Sequence, residues 1–157
     1  MHLYLVQHGL AVPKDEDPER PLSDQGRTDV GRMAAFLART RPAIGRVVHS
    51  GKLRAMQTAL VFAETIGPGR LVEEAREGLA PKDPAEIVAQ AVNGWTDDTM
   101  IVGHLPHLSR LTSRLVAGNA DETVVHFQPG TVVCLERGEN GGGWTVAWAV
   151  RPELLGG

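Results

Sequence analysis

The chain opens on a continuous apolar run, HLYLVQ at residues 2–7, which has the length of a buried strand and is ended by Gly9. From Asp24 to Thr40 the period changes. Val30, Met33, Ala34, Leu37 and Ala38 recur at helical spacing and share one face. Ser23 suits the N-cap and Pro42 the stop. RVVHS (46–50) is then expected as a strand, and residues 52–66 as a helix with Leu53, Met56, Leu60 and Ala63 inward, closed by Gly67 and Pro68. A weaker strand, RLVEE (70–74), leads to a helix from Pro84 with Ile87, Val88, Ala91 and Val92 inward and Gly94 at its end. TMIVGH (99–104) is the fourth strand, and Leu108, Leu111, Leu115 and Val116 mark the fourth helix.

Four strand-helix units in succession imply a mainly parallel sheet with helices on both faces. The C-terminal part differs: GTVVCLER and WTVAWAV flank GENGGG and read as two antiparallel strands joined by a hairpin loop. No internal repeat, low-complexity tract or linker divides the chain. The expectation is therefore an α/β fold, a single domain over residues 1–157, arranged as a three-layer sandwich with a C-terminal antiparallel hairpin. The polar connection from Leu10 to Leu22 is about as long as structureless loops become, which makes it a candidate for function.

Composition narrows the classes. At 157 residues and 42% hydrophobic, the chain can build one proper core. Sixteen Lys and Arg against 19 Asp and Glu leave a net charge of −3, without the basic excess that nucleic-acid binding needs. The single cysteine, Cys134, excludes an internal disulfide and is expected as a buried thiol. MHLYLV has no basic n-region, and no apolar run approaches the roughly 18 residues that span a bilayer. A cytoplasmic protein is expected, with no membrane and no nucleic-acid partner.

In an open parallel sheet, ligands bind outside the carboxyl ends of the strands. Here strand one ends in Gln7-His8-Gly9, strand two in His49-Ser50 with Arg54 a turn into the next helix, and strand four in Gly103-His104. Two histidines and an arginine at one edge, beside helix N-termini, suit an anion such as a phosphate ion. A neutral imidazole can attack phosphorus directly and split the transfer into two steps. Such chemistry rests on positioning and charge stabilisation, so neither a metal nor a cofactor is required. A Walker-type loop, a carboxylate cluster with metal spacing and a G-x-S-x-G elbow are all missing from the sequence. His2, His49, His107 and His126 default to structural or surface positions, with strand alternation turning His49 away from Ser50. Trp95, Trp144 and Trp148 are expected to pack.

At these residues the sequence resembles the histidine phosphatase superfamily, and most closely its small SixA-type members. The family's Arg-His-Gly stands here as Gln7-His8-Gly9. RPLSDQG (20–26) is similar to its Arg-Pro-Leu-Ser/Thr-x-x-Gly step, SGKLRAMQTA (50–59) to Ser-Pro-x-x-Arg-Ala-x-Gln-Thr, and VGHLPHLS (102–109) to its His-x-Pro segment. The resemblance spans nearly the whole chain. Each motif is weak alone, whereas four in order are specific.

The resemblance implies a phosphoglycerate mutase-like fold, His8 as a nucleophile that becomes phosphorylated, and Arg54 and His104 binding the phosphoryl group. It adds Arg20 as a further phosphate contact and puts Gln7 where an arginine holds the phosphoryl oxygens. Gly51 replaces a turn proline and is expected to loosen only a loop. Larger family members use a glutamate as general acid; Glu77 and Asp83 lie in that region here without a decisive match. The chain has no long insertion that could form a lid, which leaves the edge open to a phosphohistidine on another protein, such as a phosphotransfer domain. A small phosphorylated substrate on the same scaffold is the alternative, and a silent phosphate-binding module is a third outcome because of Gln7.

Overall fold

Alternation along β1 (His2–Gln7) decides how the layers stack, because Leu3 and Leu5 join one apolar cluster while Tyr4 and Val6 join the other. The computed structural model describes residues 1–156; Gly157, the last residue of the expected domain, lies outside the described residues. The remaining elements are α1 (Asp24–Arg39), β2 (Arg46–His49), α2 (Leu53–Ile66), β3 (Leu71–Glu74), α3 (Ala85–Val92), β4 (Thr99–Gly103), α4 (His107–Ala117), β5 (Val132–Arg137) and β6 (Trp144–Val150). They form one sheet in the order β3-β2-β4-β1-β5-β6. The first four strands in that order run parallel, while β5 pairs antiparallel with both β1 and β6. This is the expected mainly parallel sheet with its terminal hairpin.

Helices α1 and α2 cover the Tyr4 and Val6 face together with Val47, Met100 and Val102. Helices α3 and α4 cover the Leu3 and Leu5 face with Val48 and Ile101. Three layers result. Ser23 caps α1 as expected, its hydroxyl accepting from the Gly26 N–H at 3.0 Å. The tryptophans pack: Trp144 is buried, Trp148 meets Tyr4 edge-on at 6.1 Å, and Trp95 lies under the Arg46 guanidinium at 4.3 Å. Cys134 is buried and burial pushes its pKa up to about 12, which keeps it an unreactive thiol. Among the described residues, no helix is long and apolar enough to cross a membrane.

Two helices are turned part of the way from the expected face, with Ala63, Val88 and Val92 buried as expected. In α2 the buried residues are Ala55, Thr58, Ala59, Phe62 and Ala63, while Leu60 is 40% exposed and Leu53 and Met56 are only partly covered. In α3 they are Ala85, Val88, Ala89 and Val92, and Ile87 and Ala91 face out. Both sequences carry two overlapping apolar stripes. The stripe with more alanine lets each helix lie closer to its neighbours, so close packing outweighs the larger area of leucine or isoleucine.

The Leu10–Leu22 connection is not structureless. Ala11 bridges Leu22, Val12 N–H donates to the Pro21 carbonyl at 2.8 Å, and Ser23 N–H to the Leu10 carbonyl at 3.0 Å. A Cβ on Gly26 would lie 2.0 Å from that same Leu10 oxygen, so only glycine lets α1 close against the loop.

Candidate active site

The register of the sheet brings three distant segments to one edge. Gln7 pairs with Gly103 and His49 with Val102, so β1, β2 and β4 end side by side. Immediately beyond them stand His8, Ser50 and His104. The His8 and His104 rings lie 5.0 Å apart between centroids.

Backbone bonds hold His8 in place. Its N–H donates to the Gly103 carbonyl at 3.0 Å, and its carbonyl accepts from Gly130 at 3.2 Å. Its Nδ1 lies 2.7 Å from the Gly9 carbonyl, which accepts only, so Nδ1 carries the proton and Nε2 keeps its lone pair. Burial, with the charges of Arg54 and Arg20, pushes its pKa down to about 4. The imidazole is therefore neutral near pH 7.

His104 is 2% exposed, and burial together with His8, Arg54 and Lys52 pushes its pKa down to about 3. Its Nε2 lies 2.5 Å from the Ser50 hydroxyl. Its Nδ1 is buried without a partner, as are Arg54 Nε and Gln7 Oε1. Burial and the neighbouring Arg20 lower the pKa of Arg54, evidence that the two guanidiniums share this edge. Arg20 itself is fixed by Nε donating to the Val12 carbonyl at 3.2 Å. Three cationic side chains face two neutral imidazoles, and the Arg54 Nε–H donor is buried unpaired, an arrangement that favours an anion.

Of the expected site residues, His8, His104, Arg54 and Arg20 thus come together, with Gln7 next to them. Gln7 ends β1 on the Leu3 and Leu5 side, whereas His8 continues the Tyr4 and Val6 side. The two carboxylates do not join. Neither Glu77 nor Asp83 is among the charges acting on His8 or His104. Asp83 Oδ2 accepts from the Gly78 and Ala80 N–H groups at 3.1 and 3.0 Å, which commits it to its own loop, and Glu77 is exposed. Among the described residues, no group of three or more His, Cys, Asp or Glu side chains is placed to hold a metal ion.

His49 turns away as alternation predicts, its Nδ1 accepting from the Gly51 N–H at 3.1 Å. His107, expected as structural or surface, is completely buried. Gly51 does not loosen its turn. It sits at φ +91, a conformation closed to proline, and the Glu74 carboxylate oxygen fills the space where a Cβ would stand, 2.0 Å away.

Sequence reasoning missed Ser50, Gln57 and Thr58 as builders of the site. Thr58 accepts from the Gly9 N–H at 3.0 Å and donates to the Arg54 carbonyl at 2.8 Å, tying the His8-Gly9 turn to α2. Gln57 Oε1 accepts from the Leu22 N–H at 2.7 Å, holding the Arg20 loop. Their signal lay in the motif that also contains Arg54, where all three occupy fixed spacings.

No family model matches the chain. The chain is similar to phosphohistidine phosphatase SixA of Escherichia coli (strain K12), at 27% identity over 157 residues, 97% of this chain and 94% of that protein. Its fold is similar to the solved structure of the protein histidine phosphatase SixA complexed with tungstate, with a TM-score of 0.86 and 26% identity over 99% of this chain and all of the other. A mycobacterial glucosyl-3-phosphoglycerate phosphatase shares the fold alone, at TM-score 0.67 and 16% identity, over 93% of this chain and 96% of that one. Four ordered motifs, a phosphoglycerate mutase-like fold and these relatives together make the chain similar, over nearly its whole length, to SixA-type histidine phosphatases.

Proposed function

We propose that the chain is a phosphatase that removes phosphate from a protein-borne phosphohistidine through a phosphohistidine intermediate on His8. The observation that carries this reading is the free Nε2 lone pair of a neutral His8 beside the buried, unpartnered nitrogens Arg54 Nε and His104 Nδ1. In the first step His8 Nε2 bonds to phosphorus as the P–N bond to the substrate imidazole breaks, and that imidazole leaves with a proton from solvent. In the second, water attacks the phosphohistidine, a P–O bond replaces the P–N bond, and inorganic phosphate departs. Arg54, Arg20, His104 and Gln7 bind the phosphoryl oxygens. A departing imidazole is a better leaving group than an alkoxide, so neither Glu77 nor Asp83 is given the role of acid.

The relatives support the choice of substrate. The Escherichia coli relative is named for phosphohistidine, and the solved SixA structure holds tungstate, a tetrahedral oxyanion of the same geometry as phosphate. The connections bordering the edge, residues 8–23, 50–52, 75–84, 104–106 and 118–131, contain no inserted helix. A phosphohistidine on the surface of a folded phosphotransfer domain would have access. The proposal takes residues 1–157 as one catalytic unit working in the cytoplasm. Small phosphate esters are the second reading, favoured by the fold shared with the mycobacterial sugar-phosphate enzyme.

The test is to mix the protein with a phosphorylated phosphotransfer domain, quench in alkali and locate the phosphate. Label on His8, absent in His8→Ala, is expected. Turnover that survives His8→Ala would refute the mechanism, and faster cleavage of phosphate esters than of protein phosphohistidine would move the substrate to the second reading.

A further inference from the structure

The geometry points to Ser50 as a positioning residue that sets the tautomer of His104 and so turns Nδ1–H into the donor for a phosphoryl oxygen. This deepens the phosphoryl-site reading of the strand edge and rests on it. Ser50 follows β2 directly, and the Gly51 turn brings the Lys52 N–H back to within 3.4 Å of the Ser50 oxygen. That backbone donor occupies one lone pair of the hydroxyl. Of the proton and the second lone pair that remain, the proton is assigned to His104 Nε2, 2.5 Å away.

A neutral imidazole has one N–H and one lone pair, and the bond made by one nitrogen decides the state of the other. Accepting from Ser50 makes Nε2 the lone-pair nitrogen and leaves the proton on Nδ1. This Nδ1–H is buried and unpartnered, as is the N–H of Arg54 Nε, and His8 lies across from it. Two unpaired buried donors beside the nucleophile are costly alone and are satisfied together by an oxyanion. Without Ser50 the ring is free to take the opposite tautomer, which unconstrained imidazole favours. The Nδ1 lone pair would then meet a phosphoryl oxygen and repel it.

The experiment reads tautomer and anion binding without turnover. Nitrogen-15 NMR of labelled histidines reports which His104 nitrogen is protonated, and calorimetry with inorganic phosphate reports affinity, in the wild type, Ser50→Ala and Ser50→Thr. The expected result is an Nδ1–H tautomer in the wild type. Ser50→Ala is expected to lose it and to bind phosphate about tenfold more weakly, the effect of one neutral hydrogen bond. Ser50→Thr, which keeps the hydroxyl, should restore both. A wild-type His104 protonated on Nε2, or Ser50→Ala binding phosphate as tightly as the wild type or more tightly, would overturn the assignment, since Ser50 would then compete with phosphate. Phosphate binding without a phosphoenzyme would sink the catalytic proposal and leave this one standing.

Discussion

Replacing Gln7 by arginine would put a third guanidinium at the edge bordered by Arg54 and Arg20. In the free protein two effects oppose each other. The unpartnered Gln7 Oε1, a buried carbonyl oxygen that costs about 1 to 3 kcal/mol, is removed, but a cation is buried next to like charges, at a cost of several kcal/mol before relaxation. Burial of the new charge dominates, so the free variant should melt lower, by about 2 to 4 °C per kcal/mol lost. With a phosphoryl group present the sign reverses. A hydrogen bond from a charged donor contributes about 1.5 to 3 kcal/mol against about 0.5 to 1.5 for a neutral one, a gain of about 1 to 2 kcal/mol. Realised in the transition state, that gain is about a 5- to 30-fold faster step. Quench-flow measurement of phosphate transfer from a phosphorylated phosphotransfer domain reads the rate, and melting with and without inorganic phosphate reads the crossover. An unchanged or lower rate together with unchanged phosphate affinity would refute the reasoning and show that the site is adapted to glutamine.

Because His8 is held near pKa 4, kcat/KM should stay level as pH falls through the ordinary histidine range near 6.5 and decline only towards 4; a half-drop near 6.5 in a pH profile would count against a desolvated nucleophile. The same depressed values link to stability. Between pH 6.5 and about 4 the unfolded chain binds more protons than the folded one, so the melting temperature should fall as pH falls through this window, with a shallower slope in His104→Asn. Thr58→Val leaves the buried Gly9 N–H unpaired, and denaturant unfolding should show a loss of about 1 to 3 kcal/mol with slower phosphate transfer. Gly26→Ala drives a methyl group into the Leu10 carbonyl, and the same measurement should show a loss of about 1 to 3 kcal/mol, with weaker phosphate binding as the Arg20 loop shifts.

Much of this molecule is legible from periodicity. The HLYLVQ run, the Val30-Met33-Leu37 stripe and the hairpin around GENGGG each have one solution, since apolar surface at period 2 or 3.6 can be buried in one way only. Where two stripes overlap, the pattern is silent. Leu53, Met56 and Leu60 outrank Ala55 and Ala59 in hydrophobicity, yet the sheet accepts the alanines because they allow closer contact.

His8, Arg54 and His104 could be brought to one edge because strand ends in a parallel sheet are topologically defined, and the resemblance then supplied their roles. The sequence by itself therefore determined the elements, their order in the fold class and the candidate site residues at the strand ends. Only the tertiary structure decided which polar neighbours hold them. The Ser50–His104 bond joins residues 54 positions apart, and Thr58 reaches Gly9 across 49. The same holds for the pKa values and the dismissal of Asp83 as a free acid, since hydrogen bonds and desolvation are set by distances across the fold, to which the order of residues along the chain is blind.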